Sequence, residues 1–384
     1  MKPIITLTFM LLSMLAKAQK QYWIEGFVQG LEDGTPITLN EDDGNLLKPI
    51  ASDTVRAGVF KFRGTVDQVT KLILLGRGPG FPSQWLELWA GPGITIKISG
   101  NNKLLRTWTV ESPLKEQKEA SLFTKASMLQ LDQLQELSIK RNILYNKGIP
   151  SDENEKQKFK RSADSIIRME DSLSNLVCLK DIKILQTLPV TTIWIDKLHG
   201  VAMTARYQNN ALRRPAIELY KRLSPNQKQT DKGYEIEAYL FPPKVVKNGE
   251  PMADTIFSNL AGQKRSLSDY KGKYLVLDFW SMGCGPCIAA MPELKEVSEK
   301  YKDKLTVVSL SVDVKKANWQ KASEQHKVSW ENLNDGKGMA GIAARYGVNG
   351  IPHYVMISPE GTVLGSWVGY GEGQLEEKIK TYIK

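Results

Sequence analysis

Hydrophobic and polar positions follow three different rhythms along this chain. Between Tyr22 and about Val110, short runs rich in β-branched and aromatic residues recur at Tyr22–Val28, Val59–Val66, Leu72–Leu75, Trp85–Trp89 and Ile94–Ile98. Asp33-Gly34, Asp43-Gly44, Gly78-Pro79-Gly80 and Gly91-Pro92-Gly93 punctuate them. Short strands with regular turn signals predict a small antiparallel sandwich or barrel, and its Trp residues are expected in the core. From about Ser112 to Ala238 the period lengthens. Leu129, Leu131, Leu134, Leu137 and Ile139 sit among Gln, Glu, Lys and Arg, closer to a helical repeat than to strand alternation. Gly148-Ile149-Pro150 breaks that run. Ser151 or Asp152 can cap the next helix, which continues through Ile166, Ile167, Met169 and Leu173 towards Cys178. Further helical patches end near Ser224-Pro225-Asn226.

Beyond Phe241-Pro242-Pro243, which reads as a linker, strands and helices alternate. Tyr274–Trp280 is an almost unbroken apolar run, as expected of a buried central strand. A helix is predicted over Cys284–Lys300, a strand over Leu305–Val312 and a helix around Asn318–Gln325. A short helix at Ile342–Tyr346, strands at His353–Ile357 and Val363–Val368 joined by Pro359-Glu360-Gly361, and a last helix complete the chain. This order predicts a mixed sheet with helices on both faces. The organisation is therefore a leader over residues 1–18, a β-rich sandwich-like domain over 19–111, a helical middle region over 112–240 and an α/β domain over 241–384.

The leader follows from Lys2, the apolar stretch Ile4 to Leu15 and the small-x-small site Ala16-Lys17-Ala18 before Gln19. Its apolar part is about a dozen residues, short of the ~20 that span a bilayer. A cleaved signal peptide and a periplasmic mature protein are expected, in a compartment where disulfides persist. The chain carries 52 Lys and Arg against 42 Asp and Glu, a net charge of +10. The basic residues are spread along helical segments with no run of five or six like charges, so they read as solvated helix faces and not as a nucleic-acid surface.

The cysteines narrow the chemistry. There are three, Cys178, Cys284 and Cys287, too few for a disulfide scaffold. Cys284-Gly285-Pro286-Cys287 follows the central strand and opens a helical pattern. A helix N-terminus offers unpaired N–H groups and partial positive charge, which favour a thiolate at Cys284, and the thiolate is the nucleophile. Gly285 lets the backbone turn, and Pro286 suits a first helical turn. Two thiols and His353 do not complete a four-ligand zinc site. Ile288 after Cys287 excludes covalent haem attachment. No cofactor other than the Cys284–Cys287 pair is expected. Cys178, in an apolar helical context, is expected to be a buried free thiol.

The segment Asp278-Phe279-Trp280-Ser281-Met282-Gly283-Cys284-Gly285-Pro286-Cys287 resembles the thioredoxin superfamily, in particular exported thioredoxin-like proteins of the TlpA and ResA type. The lead-in Leu267–Lys273, Pro292 in the following helix and Gly350-Ile351-Pro352 resemble the same family in order and spacing. The resemblance covers Phe241 to Lys384. More weakly, the region before it is similar to an uncharacterised domain found upstream of such domains.

The resemblance implies that Cys284 attacks, Cys287 resolves and Asp278 is a buried acid that assists proton transfer at Cys287. It implies that Trp280, Gly283, Gly285, Pro286, Ile351 and Pro352 shape the substrate surface, with a cis bond before Pro352. Three positions depart from the family: Gly283 replaces a Trp, Ala290 replaces a Glu common in ResA-like members, and His353, expected to be an ordinary surface or loop histidine, replaces a Thr. The Gly-Pro dipeptide resembles reducing thioredoxins, whereas DsbA-like oxidants often carry Pro-His. The implied activity is reduction of disulfides in exported proteins, apocytochrome c among them, with electrons from a membrane thiol donor. Two alternatives stand beside it. A peroxiredoxin-like peroxidase would need a Pro where Leu277 stands. An envelope binding or sensing protein would carry the dithiol as a structural staple. The sequence sets no oligomeric state.

Overall fold

The computed structural model describes residues 20–42, 47–208 and 210–383. The leader and Asp43-Gly44 lie outside the described residues. The chain divides into two compact units between Thr204 and Ala205.

The first unit begins with eight strands: β1 (Gln21–Val28), β2 (Pro36–Asp42), β3 (Leu47–Thr54), β4 (Val59–Thr65), β5 (Thr70–Gly76), β6 (Leu86–Ala90), β7 (Thr95–Gly100) and β8 (Thr109–Glu111). They form two four-stranded sheets, ordered β4-β1-β7-β8 and β3-β2-β5-β6. The alternation in β1 buries Tyr22, Ile24 and Val28 and turns Trp23, Glu25 and Phe27 outward. Ile37 and Leu39 of β2, Leu72 and Leu74 of β5, and Phe60 and Phe62 of β4 join them in one core, so the predicted sandwich forms. Gly26 sits opposite Phe60 across β1 and β4, and a Cβ there would run into the Phe60 ring.

Three features differ from expectation. The sandwich is not wholly antiparallel, because β1 and β7 pair in parallel from Trp23↔Thr95. A parallel pair needs a crossover, and the whole second sheet lies between these strands in the chain. Strand β3 is an edge strand with no buried residue and a Pro at position 49, so it lacks the alternation that marks a strand. The Trp residues also split: Trp89 and Trp108 are buried, whereas Trp23 and Trp85 are 36% and 45% exposed.

Helices α1 (Lys115–Ala126), α2 (Met128–Asn146), α3 (Glu153–Thr187) and α4 (Thr192–Gln208) follow. On α2, Leu131, Leu134 and Leu137 are buried but Leu129 is exposed. The Asp152 carboxylate accepts the Glu155 N–H at 3.0 Å and caps α3. Cys178 of α3 is a buried free thiol. Burial pushes its pKa up to about 11, against a lowering hydrogen bond from Thr204.

The second unit starts inside α4 and takes in α5 (Asn210–Lys221), α6 (Pro225–Lys228) and α7 (Asp231–Leu240) ahead of the α/β region. Ser224-Pro225 opens α6 through a capping box with Gln227, so the helical patches run on beyond that point. The α/β region contains β9 (Phe257–Asn259), β10 (Lys264–Arg265), β11 (Tyr274–Trp280), α8 (Gly285–Lys300), β12 (Leu305–Ser311), α9 (Lys316–Gln325), β13 (Glu331–Asn334), α10 (Ile342–Arg345), β14 (His353–Ile357), β15 (Val363–Val368) and α11 (Gln374–Lys380). The sheet order is β10-β9-β13-β12-β11-β14-β15. β11, β12 and β13 pair in parallel, and the remaining pairs are antiparallel.

Strand alternation sends Val276, Tyr354 and Met356 towards α8 and α11, and Leu277, Phe279 and Val355 to the opposite face with Ile342 of α10 and Tyr346. This is a mixed sheet with helices on both faces, a thioredoxin-like domain. The short strands β9, β10 and β13 have no counterpart in the sequence pattern; each is two to four residues long, below the length at which alternation registers.

Candidate active site

The site is built where β11 ends and α8 begins. β11 is buried from Leu275 to Trp280 and pairs on both edges, with β12 through Asp278↔Ser309 and with β14 through Asp278↔Tyr354. Its end is thereby fixed in three strands. The turn that follows is held by Asp313, whose carboxylate accepts the Met282 N–H at 3.0 Å and the Ser311 hydroxyl at 2.9 Å.

Cys284 is the N-cap of α8, and its Sγ accepts the Cys287 backbone N–H at 3.2 Å. Cys284 and Cys287 form a disulfide. Their exposures differ: Cys284 retains 8% of its surface and Cys287 1%. Gly283, Gly285 and Pro286 are exposed around Cys284, and Pro286 lies in the first turn of α8, where it has no intrahelical N–H bond to lose. Pro292 lies inside the same helix. The disulfide packs on Trp280, Met291 and Trp319, with the half-buried Ile351 against the same cluster. The Ile351–Pro352 bond is cis. Thus the loop before β14 and the start of α8 meet at the disulfide, as the order of motifs predicts.

Asp278 is 1% exposed. Alternation places it on the face of β11 that carries Trp280, hence on the side of the disulfide. Burial raises its pKa to about 7, with a hydrogen bond from Ser309 opposing the rise. The Ser309 hydroxyl donates to Oδ2 at 2.7 Å, and Oδ1 has no hydrogen-bond partner among the described residues. A buried carboxyl that can exist in either form near neutral pH can take and return a proton.

Two expectations need correction. Trp280 has no exposed surface, so it supports the disulfide from beneath and offers nothing to a substrate. His353 is neither a surface nor a loop residue. It is buried on β14, its ring edge-on to Phe279, and Phe279 belongs to the sheet face opposite Asp278. Burial lowers its pKa, and its pairing with Phe279 turns it away from the thiols. Leu277, at the position a peroxidase signature fills with Pro, belongs to that opposite face too. Pro352 is itself buried, whereas Gly350 and Ile351 before it are half-buried.

Sequence reasoning missed Ser309, Asp313 and Trp330. Trp330 donates its indole N–H to Ser309 Oγ at 2.8 Å. A Ser in an apolar strand and an Asp two residues past its end are polar residues at core positions, and that was the available signal. Among the described residues no group of three His, Cys, Asp or Glu side chains is placed to hold a metal, and no helix is long and apolar enough to cross a membrane.

Comparison with known proteins places the family match in the α/β region. The model of the AhpC/TSA family matches residues 248–365. The thioredoxin-like protein YneN of Bacillus subtilis is 29% identical over 138 residues, 35% of this chain and 79% of the relative. The thiol-disulfide oxidoreductase ResA of Geobacillus thermodenitrificans is 31% identical over 133 residues, 34% of this chain and 75% of the relative. The chain belongs to the ResA-like thiol–disulfide oxidoreductases. A crystal structure of the thioredoxin domain of a thiol-disulfide oxidoreductase from Bacteroides vulgatus is 26% identical and covers 36% of this chain and 99% of that one, with a TM-score of 0.34. The family model lies within the α/β region, and the two relatives match about a third of the chain. The Cys284–Cys287 disulfide at the start of α8 lies within the residues that the family model matches.

Proposed function

We propose that this protein is an exported protein-disulfide reductase that works through the Cys284–Cys287 dithiol. The observation that carries the reading is the asymmetry of the pair. Cys284 caps α8 and keeps some surface, while Cys287 is buried on the side of a carboxyl with one unoccupied oxygen. In the reduced protein the N-terminal N–H groups of α8 favour the Cys284 thiolate. That thiolate attacks a substrate disulfide, forming a Cys284–substrate mixed disulfide and releasing one substrate thiolate. Cys287 then gives its proton to Asp278 and attacks Cys284 Sγ. The mixed disulfide breaks, the second substrate thiolate leaves with the electron pair, and the Cys284–Cys287 disulfide forms. Two electrons pass to the substrate; one proton reaches it from Cys287 by way of Asp278, and the second comes from solvent, which took up the Cys284 proton when the thiolate formed. Exposed Gly283, Gly285, Pro286 and half-buried Ile351 form the surface against which an extended substrate segment docks.

The leader Lys2 to Ala18, outside the described residues, supports export, and export to an oxidising compartment requires a membrane thiol donor to return the dithiol to its reduced state. Substrates would be oxidised or misbridged exported proteins, apocytochrome c being one class. The regions 19–111 and 112–240 would place the 241–384 domain against its partner. The Gly-Pro dipeptide supports the reducing direction. The test is the equilibrium reduction potential of the pair in the mature protein. A value near thioredoxin's, about −270 mV, is expected; one near DsbA's, about −120 mV, would reverse the direction, since the gap amounts to about 7 kcal/mol. Retention of function in Cys284→Ser would instead favour a binding protein with a structural dithiol.

A further inference from the structure

Ser309 lies directly across from Asp278 in the β11–β12 pairing, and its hydroxyl is 2.7 Å from Asp278 Oδ2. Trp330, the residue before β13, reaches the same hydroxyl, with Nε1 2.8 Å from Ser309 Oγ. An indole N–H can only donate. The serine oxygen therefore accepts from Trp330, and its single hydrogen is left for the carboxylate. Oδ1 of the same carboxylate is buried with no partner among the described residues.

We propose that Trp330 and Ser309 are positioning residues for disulfide exchange: the chain Trp330 to Ser309 to Asp278 anchors Oδ2 and reserves Oδ1 as the oxygen that takes the Cys287 proton. The proposal rests on Asp278 being the proton acceptor, as argued above. In the resolving step the Cys287 S–H bond breaks and an O–H bond forms at Oδ1. The Cys287 thiolate displaces the substrate sulfur from Cys284. The proton then leaves Oδ1 for the departing thiolate or solvent, so Asp278 ends as it began. A carboxylate free to rotate would offer either oxygen; one tied at Oδ2 offers a fixed Oδ1.

The groups around Asp278 leave this chain as its main tuning element. β12 contributes Ser309, and β14 contributes Tyr354, whose buried phenol is pushed up and has no hydrogen-bond partner among the described residues. α8 contributes the cysteines and Glu293, which acts electrostatically on Tyr354. Burial and the Ser309 hydrogen bond account for the Asp278 shift, with no charged neighbour contributing. Trp330 packs against both the disulfide cluster and the core beneath α8 and α11, so its ring is held in place.

The test uses the full mature chain with 13C-carboxyl-labelled aspartate, Asp278 being assigned by its loss in Asp278→Asn. Its titration is followed in the oxidised protein, alongside the pH dependence of mixed-disulfide resolution. Ser309→Ala should move the Asp278 midpoint up by about one pH unit or more, because a hydrogen bond to the charged form is lost. Ser309→Thr, which restores a hydroxyl, should return it. Trp330→Phe keeps a ring but deletes the N–H, and should raise the midpoint by a few tenths of a pH unit through weaker polarisation of Ser309. The resolution rate should shift along the pH axis by the same steps.

An unmoved midpoint in Ser309→Ala, a midpoint in Ser309→Thr as displaced as in the alanine variant, or no change in Trp330→Phe would each overturn the chain. A different result would sink the underlying reading: Asp278→Asn resolving with the wild-type pH profile, while Ser309→Ala still moves the carboxyl midpoint. The hydrogen bonds would then exist without serving the exchange.

Discussion

Replacing Asp278 by Asn should change how stability depends on pH, and the size of the change follows from the site. Asp278 has a pKa of about 7 in the folded protein against an ordinary 3.8, because burial penalises its charged form. About three pH units at about 1.4 kcal/mol each give about 4 kcal/mol. The sign is set by proton binding. Between about pH 4 and about pH 7 the folded state holds a proton that the unfolded chain has released, so the carboxyl's contribution falls as pH rises and is level above 7. Asn has no such titration. Its Oδ1 can accept from Ser309 as the carboxylate does, and its unpartnered NH2 adds an offset that does not vary with pH. The stability of Asp278→Asn minus wild type should therefore rise by about 4 kcal/mol from about pH 4 to about pH 8, other titrations cancelling. Denaturant unfolding of the oxidised full chain, resolved for the 205–384 unit and extrapolated at each pH, measures it. A difference that is flat within about 1 kcal/mol, or that falls with pH, would show that the buried carboxyl does not carry this burden.

Four further outcomes are expected. Cys284→Ser should lose protein-disulfide reduction entirely, whereas Cys287→Ser should stall as a covalent mixed disulfide with its substrate, visible by mass spectrometry of the intact protein. Asp313→Ala leaves the Met282 N–H and Ser311 hydroxyl without their acceptor; it should cost about 2–4 kcal/mol and slow dithiol turnover, as unfolding curves and a reduction assay would report. Gly26→Ala forces a Cβ into the ring of buried Phe60 and should destabilise the first unit by about 1–3 kcal/mol, read by urea denaturation. Cys178, with its thiol pushed up to about 11, should resist maleimide at pH 8 in the native protein and react fully once the chain is unfolded.

The candidate site was legible because it is local in sequence. Cys284, Gly285, Pro286 and Cys287 specify both the disulfide-bonded pair and the cap of α8, and the unbroken apolar run before them places the pair at a strand end. The sandwich was legible only in outline. Alternation marks β1 and β4, which have one buried face each, but β3 has no buried face and so no pattern to detect. The parallel pairing of β1 with β7 depends on which strands fill the second sheet, and no local signal encodes that. His353 was misjudged for a related reason. The strand that begins at His353 was legible, but its pairing with Phe279 decides which face the ring takes, and no local signal encodes that pairing.

The two buried aspartates show what sequence could not separate and structure can. Asp278 and Asp313 both lie at core positions near the cysteines, and each has less than 2% of its surface exposed. Asp313 receives the Met282 N–H and the Ser311 hydroxyl, and its own backbone carbonyl takes the Asn334 amide. It is an acceptor that holds the turn in place, with the Met282 N–H shared between both of its oxygens. Asp278 has one donor on one oxygen and none on the other. Protonating Oδ1 disrupts nothing. Ala290, fully buried on α8, supplies no carboxyl where ResA-like relatives often have Glu. Of the two, Asp278 is the carboxylate whose hydrogen bonding is incomplete, and that incompleteness supports its proposed role as the proton acceptor.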